Sequence, residues 1–151
     1  MIRSCWMRVG VLALCMAVLA GGASGRTLRW ASQGDLQTTD PHSQNESLTN
    51  ALNSHVYETL VVYGKRLEFL PGLATEWTRV EPTLWRFKLR PNVKFHDGTP
   101  FTADDVVFSV QRAAQGSSDM QVYARALGEV RKVDALTVEF RQAQPNPIFL
   151  H

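Results

Sequence analysis

The side chains most able to do chemistry in this sequence are its histidines and two adjacent pairs, His96–Asp97 and Asp104–Asp105. A histidine beside a carboxylate can act as a general base. However, Asp97 precedes Gly98, a turn signal in which the aspartate hydrogen-bonds its own backbone. The two aspartates of the second pair lie in a predicted helix start, where neighbouring side chains face different directions. We therefore interpret both pairs as structural.

The sequence shows no metal-ligand or nucleophile motif. No two histidines stand at metal-ligand spacing; they are His42, His55, His96 and His151. The sequence also lacks a Gly-x-Ser-x-Gly elbow, a phosphate-binding Gly-Lys-Ser/Thr loop and a Gly-x-Gly-x-x-Gly motif. We predict no catalytic residue, no metal and no cofactor, and hence a protein that is not an enzyme. A secreted hydrolase using His96 or Asp97 is the alternative.

Residues 1–25 have the composition of a cleavable secretory signal peptide. Basic residues precede an apolar run from Val9 to Ala20, and small residues follow as far as Gly25. The run is shorter than the roughly 20 apolar residues that span a bilayer, so an uncleaved membrane anchor is the less favoured alternative. The segment predicts export to the periplasm.

Both cysteines, Cys5 and Cys15, fall inside that segment, so the mature chain has no thiol. Leu14 stands where a lipoprotein signal needs a small residue, and we therefore predict no lipid anchor. Removal of the segment takes away Arg3 and Arg8 and leaves 14 basic and 14 acidic side chains. This neutral balance, without a basic patch, argues against a nucleic-acid partner.

The elements that must position any site are clearest between residues 85 and 95. Large apolar residues alternate there with basic ones, a pattern typical of strands with one buried and one solvated face. The apolar set is Trp85, Phe87, Leu89, Val93 and Phe95, and the basic set is Arg86, Lys88 and Arg90. A turn at Pro91–Asn92 interrupts the pattern.

A helix is predicted over 103–115. Thr102 has the position of an N-cap, with Asp105 as its capping-box partner. Phe101 and Val106 are spaced as a hydrophobic staple across this helix start.

Weaker signals predict the other elements. We expect a short strand over 27–31, and a helix over about 46–60 that is capped by Ser43 or by Ser47. We also expect a strand at 61–63 and a hairpin formed by 130–133 and 136–140. After Pro145-Asn-Pro147 come the apolar residues Ile148, Phe149 and Leu150. We expect them to be exposed in this chain, which is an unusual end for a domain and indicates the approach to another element.

A series of motifs in this order resembles the family 5 extracellular solute-binding proteins, the dipeptide- and oligopeptide-binding proteins of ABC importers. The motifs are Asp40-Pro-His42, Val56-Tyr-Glu-Thr-Leu60, Pro71-Gly-Leu-Ala-Thr-Glu-Trp77, Trp85-Arg-Phe-Lys-Leu-Arg90 and Val93-Lys-Phe-His-Asp-Gly-Thr-Pro-Phe-Thr-Ala-Asp-Asp-Val106. The resemblance covers residues 27–151.

The resemblance implies a mixed α/β fold, that of a periplasmic-binding-protein-like two-lobed clamp, of which only part of the first lobe is present. Residues 26–62 would begin the first lobe, and residues 63–151 would form its peripheral subdomain, incomplete here. The second lobe would be absent, so that the chain is an N-terminal fragment, and residues 26–151 alone are expected to bind nothing tightly.

The same resemblance implies an exported component that captures peptides and delivers them to an inner-membrane permease, as a monomer. In the family, the loop after Asp-Pro-His reaches the ligand cleft, which maps onto Asn45, Glu46, Ser47, Leu48 and Thr49. These five residues are equally compatible with an ordinary helix start. The ligand could also be a nickel chelate, an opine or a sugar, and a non-functional truncated gene product is a further alternative.

Overall fold

The computed structural model describes residues 27–150, so the predicted signal peptide, residues 1–25, lies outside the described residues. The described residues fall into two units, residues 27–33 and residues 34–150. In the first unit, residues 27–33 form neither helix nor strand, so the strand predicted over 27–31 is wrong. Leu28 and Trp30 are exposed there, and an apolar run becomes a strand only when a neighbour pairs with it.

The described part of the second unit contains three helices and six strands. In chain order these are α1 (Ser47–Asn53), β1 (Val61–Tyr63), β2 (Phe69–Pro71), β3 (Ala74–Glu81), β4 (Leu84–Leu89), α2 (Ala103–Ala113), α3 (Gln121–Ala126), β5 (Glu129–Asp134) and β6 (Thr137–Arg141). Within residues 27–150, no helix combines the length and the apolar character that crossing a bilayer requires.

The last four strands form one antiparallel sheet in the order β3-β4-β6-β5. The register pairs Trp77 with Phe87, and Trp85 with Phe140. The predicted hairpin is confirmed as β5 and β6, whose Val130 lies opposite Phe140. The large apolar residues of neighbouring strands therefore share one face of the sheet, as the period-two pattern predicted.

The core lies between this face and helix α2. Its buried members include Phe87, Val138 and Phe140 from the sheet, together with Phe101, just before α2, and Val106, in its first turn. The predicted staple is therefore confirmed as a pair of buried residues in one cluster. The basic residues of β4 point to the solvated face, as predicted.

Two positions depart from the predicted burial. Phe95 keeps 46% of its surface exposed, because the turn at Pro91–Asn92 ends the strand and its alternation before this residue is reached. Phe149, expected to be exposed, is buried against Trp85, Phe87 and Phe140, with a ring distance of 5.4 Å to Trp85. Ile148 is exposed as expected.

The turn and helix start between residues 97 and 105 are as predicted. Asp97 accepts hydrogen bonds from the Thr99 backbone N–H at 2.9 Å and from its hydroxyl at 2.7 Å, and Gly98 has a φ of 88°. The Asp105 carboxylate accepts from the Thr102 backbone N–H at 2.7 Å, within the predicted capping box. These carboxylates therefore stabilise the backbone, and the bonds hold the pKa of Asp97 below its ordinary value.

Candidate functional site

The turn at Asp40-Pro41-His42 is joined to the end of α2 by an ion pair. Both carboxylate oxygens of Asp40 accept hydrogen bonds from Arg112, from Nη1 at 2.8 Å and from Nη2 at 2.6 Å. The same carboxylate accepts the backbone N–H of His42 at 3.0 Å. The Arg112 guanidinium, and then the His42 N–H, hold the pKa of Asp40 far below its usual range, so this group is a carboxylate at neutral pH.

His42 adds three further contacts to this turn. Its Nδ1 lies 2.9 Å from Arg112 Nη1, and because a guanidinium only donates, the imidazole nitrogen must accept. Its backbone oxygen accepts from the Ser118 hydroxyl and from the Asp119 N–H, each at 3.0 Å. Burial, and then the charge of Arg112, lower the pKa of His42, which favours the neutral ring that this geometry requires.

The five residues predicted to face ligand, Asn45 to Thr49, follow this turn at the start of α1. Glu46 is the N-cap: its two carboxylate oxygens accept the backbone N–H groups of Leu48 and Thr49, each at 2.8 Å. The prediction that Ser43 or Ser47 caps the helix is therefore wrong. The longer side chain of Glu46 can turn back and reach both N–H groups. These bonds lower the pKa of Glu46.

The same five side chains differ in their access to solvent. Thr49 is fully buried and accepts from the backbone N–H of Gln37 at 3.5 Å, and Leu48 is half-buried. Asn45 and Ser47 are exposed. The amide of Asn45 donates to the Tyr123 hydroxyl at 3.4 Å. A ligand that approaches this segment would thus meet Asn45 and Ser47 first.

The backbone of the segment is partly engaged. Besides the two N–H groups bound by Glu46, the N–H of Asn50 donates to the Glu46 carbonyl at 2.9 Å. An extended ligand could therefore pair with the backbone N–H groups of Leu48 to Asn50 only by breaking the cap or the first hydrogen bond of the helix. Strand-like pairing with a ligand is restricted to the backbone before Leu48.

Helix α1 is shorter than the predicted span of 46–60, since it ends at Asn53. The Ser54 hydroxyl donates to the Ala51 carbonyl at 2.7 Å, and His55 Nδ1 contacts the same oxygen at 2.9 Å. Side chains that compete in this way for helix carbonyls favour termination. The Tyr57 hydroxyl then donates to the Thr39 carbonyl at 2.8 Å, which draws the chain out of the helix direction.

A cavity of about 730 Å³ lies beside residues 54–61, between this stretch and the core. Its apolar wall includes Phe87, Phe101, Val106, Phe140 and Phe149, and its polar lining residues include His55, Glu58, Lys94 and His96. An apolar wall with a few polar groups is typical of small-molecule sites. The cavity is therefore a second place where a ligand could bind.

Within residues 27–150, no three His, Cys, Asp or Glu side chains are grouped so as to hold a metal ion. The carboxylates that the sequence offered as chemical candidates have structural partners instead. Asp104 accepts from Lys132 Nζ at 2.6 Å, while Asp97 and Asp105 hold the turn and the helix start described above.

Sequence reasoning missed several residues that contact the candidate segment or its preceding turn, among them Arg112, Ser118, Asp119 and Tyr123. An arginine in the last turn of a helix is already explained by the helix dipole. Its pairing with Asp40, 72 positions earlier, leaves no periodic or spacing signal in a single sequence.

Comparison with known proteins gives a family match over most of the sheet region. The model of the bacterial extracellular solute-binding proteins, family 5 Middle, matches residues 68–151. The periplasmic murein peptide-binding protein MppA of Escherichia coli (strain K12) is 34% identical over 116 residues, which cover 64% of this chain and 21% of that protein. The dipeptide-binding protein of the same strain is 30% identical over 175 residues, covering 98% of this chain and 32% of the relative.

Solved structures give the same picture. The structure of the Escherichia coli murein tripeptide binding protein MppA matches with a TM-score of 0.70 and 30% identity, covering 75% of this chain and 26% of that one. The predicted mixed α/β fold of a periplasmic-binding-protein lobe is confirmed by this match. The chain spans between a fifth and a third of the length of the curated relatives named above.

Proposed function

The chain belongs to the family 5 bacterial extracellular solute-binding proteins, and we propose on that premise that it is the substrate-binding component of an ABC importer that captures peptides and delivers them to a membrane permease. The observation that carries the proposal is the family match over residues 68–151. The ligand class is inferred from relatives whose names specify murein peptide, oligopeptide and dipeptide binding.

In this proposal residues 1–25 direct the protein to the periplasm, where it acts as a monomer without catalytic activity. The segment Asn45–Thr49 forms one wall of the peptide site. Its members have different roles: Asn45 and Ser47 offer exposed polar groups to the ligand, whereas Glu46 holds the backbone of Leu48 and Thr49 in place.

A second candidate site is the cavity of about 730 Å³, since its volume and mixed lining suit a small ligand. We favour the segment. The cavity wall is made of the same aromatic residues, Phe87, Phe140 and Phe149, that form the buried core. Such a surface recognises apolar shape, whereas a peptide backbone needs hydrogen-bond partners along its length.

Nuclear magnetic resonance titration of the ¹⁵N-labelled chain distinguishes the two sites, because it detects weak binding residue by residue. The probes are dialanine, trialanine, a nickel–histidine chelate and an opine. We expect trialanine to shift the backbone signals of residues 43–49. The double variant Asn45→Ala, Ser47→Ala should reduce the apparent affinity roughly threefold to tenfold, since one or two hydrogen bonds are lost.

The matched control is Thr78→Ala, which removes an exposed hydroxyl on β3, outside the segment and the cavity lining, and should leave the titration unchanged. Shifts confined to Val106, Phe140 and the other cavity residues would move the site to the cavity. Shifts with the chelate or the opine alone would replace peptides as the ligand class. If none of the four probes shifts any backbone signal, a ligand-binding role for this chain is contradicted.

A further inference from the structure

We propose that Arg112 is a positioning residue, which holds the ligand-facing segment Asn45–Thr49 in its place through the Asp40–His42 turn. This inference rests on the proposed function of that segment. It assigns to an arginine of α2, outside the segment itself, control over how the segment is presented to ligand.

The first support is the geometry of the ion pair. Two parallel hydrogen bonds of 2.8 and 2.6 Å join Arg112 to the two oxygens of Asp40. Both side chains are partly shielded, with 40% and 33% of their surface exposed. A planar guanidinium that binds a carboxylate in this bidentate way fixes the orientation of the partner as well as its distance.

The second support is that α2 and the loop that follows it form hydrogen bonds with the turn at more than one point. Arg112 also donates to His42 Nδ1 at 2.9 Å. The His42 carbonyl accepts from Ser118 and Asp119. Side chain and backbone of the turn are thus bound to the same neighbouring stretch, which prevents rotation about a single contact.

The third support is the short path from the turn to the segment. Only residues 43–45 separate His42 from the N-cap Glu46. The chain that follows α1 returns to the same place, because the Tyr57 hydroxyl donates to the carbonyl of Thr39, next to Asp40. Residues 39–57 therefore form a loop closed at its base, and Arg112 binds that base. A displacement of the base must be passed to Asn45 and Ser47.

Hydrogen exchange measured by mass spectrometry on the full chain tests this role without any ligand. In Arg112→Met, the loss of the donors should raise exchange in residues 40–53 by on the order of tenfold, while β4, β5 and β6 keep their protection. Arg112→Lys keeps the charge but lacks the planar fork, so it should restore only part of the protection. The control is Arg125→Met, an arginine in the last turn of α3, which should leave residues 40–53 unchanged.

The same variants are then titrated with trialanine. Weaker binding by Arg112→Met than by Arg125→Met, together with the local rise in exchange, supports the proposal. Unchanged exchange in residues 40–53 overturns it, and so does a rise spread equally over the sheet, which would give Arg112 a general structural role. If exchange rises in residues 40–53 of Arg112→Met but neither the original protein nor any variant binds trialanine, the positioning role of Arg112 is supported and the proposed function is contradicted.

Discussion

The four-stranded sheet and residues 37–57, which include the candidate segment, are held in place by different kinds of interaction. In the sheet, Phe87, Val138 and Phe140 are packed between neighbouring strands and α2, and the contacts are apolar and shared by many residues. Residues 37–57 include a half-buried Leu48 and a buried Thr49, but polar contacts hold them in place, chiefly those of Arg112 with Asp40 and of Glu46 with the start of α1.

Because of this difference, the stability of the fold and the position of the candidate site depend on different residues. Apolar contacts are non-directional, so they hold the fold without setting a particular atom in a particular place. Hydrogen bonds are directional and set atoms within a few tenths of an ångström. We expect substitutions in the sheet to change the free energy of unfolding, and substitutions in the segment to change local order with little effect on that free energy.

The largest expected effect is that of Phe87→Ala. Phe87 is 3% exposed and contacts the rings of Phe140 and Phe149 at 5.4 and 6.2 Å. Removing a buried phenyl ring lowers the free energy of unfolding by about 3–5 kcal/mol. Urea denaturation followed by circular dichroism measures the loss. Phe108→Ala, at a residue that is 66% exposed, should change stability by less than about 0.5 kcal/mol. Equal losses in the two variants would contradict the position of the core.

A smaller effect is expected for Glu139→Gln, which tests a polar contact inside the sheet. Glu139 is 1% exposed and lies between Arg86 at 2.6 Å and Arg131 at 2.5 Å, on the neighbouring strands β4 and β5. Loss of these charge-assisted bonds should lower the free energy of unfolding by about 1–3 kcal/mol. The control, Glu76→Gln, removes an exposed carboxylate paired with Lys88 and should have almost no effect.

Glu139 also gives the stability a pH dependence. Arg86 most of all, and then Arg131, hold the pKa of Glu139 below the ordinary value of 4.5. The unfolded chain therefore takes up this proton first, and the contribution is fully present above about pH 4.5 and is lost as the pH falls through the lower folded pKa. Urea midpoints measured between pH 7 and pH 3 should decline less steeply in Glu139→Gln. An identical decline in both proteins would contradict the ionised state assigned to Glu139.

The smallest effect is expected for Glu46→Ala, which removes the cap of α1. The N–H groups of Leu48 and Thr49 lose their acceptors, so their exchange with solvent should quicken while the urea midpoint stays the same. Amide exchange followed by magnetic resonance measures this change. Glu58→Ala, at an exposed residue, is the control. A large fall in the midpoint for Glu46→Ala would show that the segment also supports the sheet.

The sheet and the start of α2 could be predicted from the sequence, because they depend on patterns of apolar, polar and capping residues close together in the chain. The alternation from Trp85 to Leu89, the hairpin of β5 and β6, and the capping box at Thr102 each follow from residues a few positions apart. The burial of Phe95 could not be predicted in this way. The alternating sequence pattern includes Phe95, but the strand ends at Leu89, before the turn at Pro91–Asn92.

The candidate site could be predicted only through family resemblance, and its local structure only in part. The helix was expected to run to about residue 60 because Val56 and Leu60 keep the apolar spacing. Its true end depends on Ser54 and His55, whose side chains contact the Ala51 carbonyl, and on Tyr57, whose hydroxyl donates to the distant Thr39 carbonyl. The identity of the cap depends on how far the side chain of Glu46 can reach, which neither spacing nor propensity specifies.

The contact between Arg112 and Asp40 also has a consequence in time. The two residues are 72 positions apart, so during synthesis Asp40 leaves the ribosome long before its partner exists. Each doubling of the loop to be closed adds only about 0.6 kcal/mol of entropy cost, but no closure can begin until α2 and the loop after it have been made. The segment Asn45–Thr49, which the proposed function places against the ligand, is thus fixed only after Arg112 and the loop after α2 have been made.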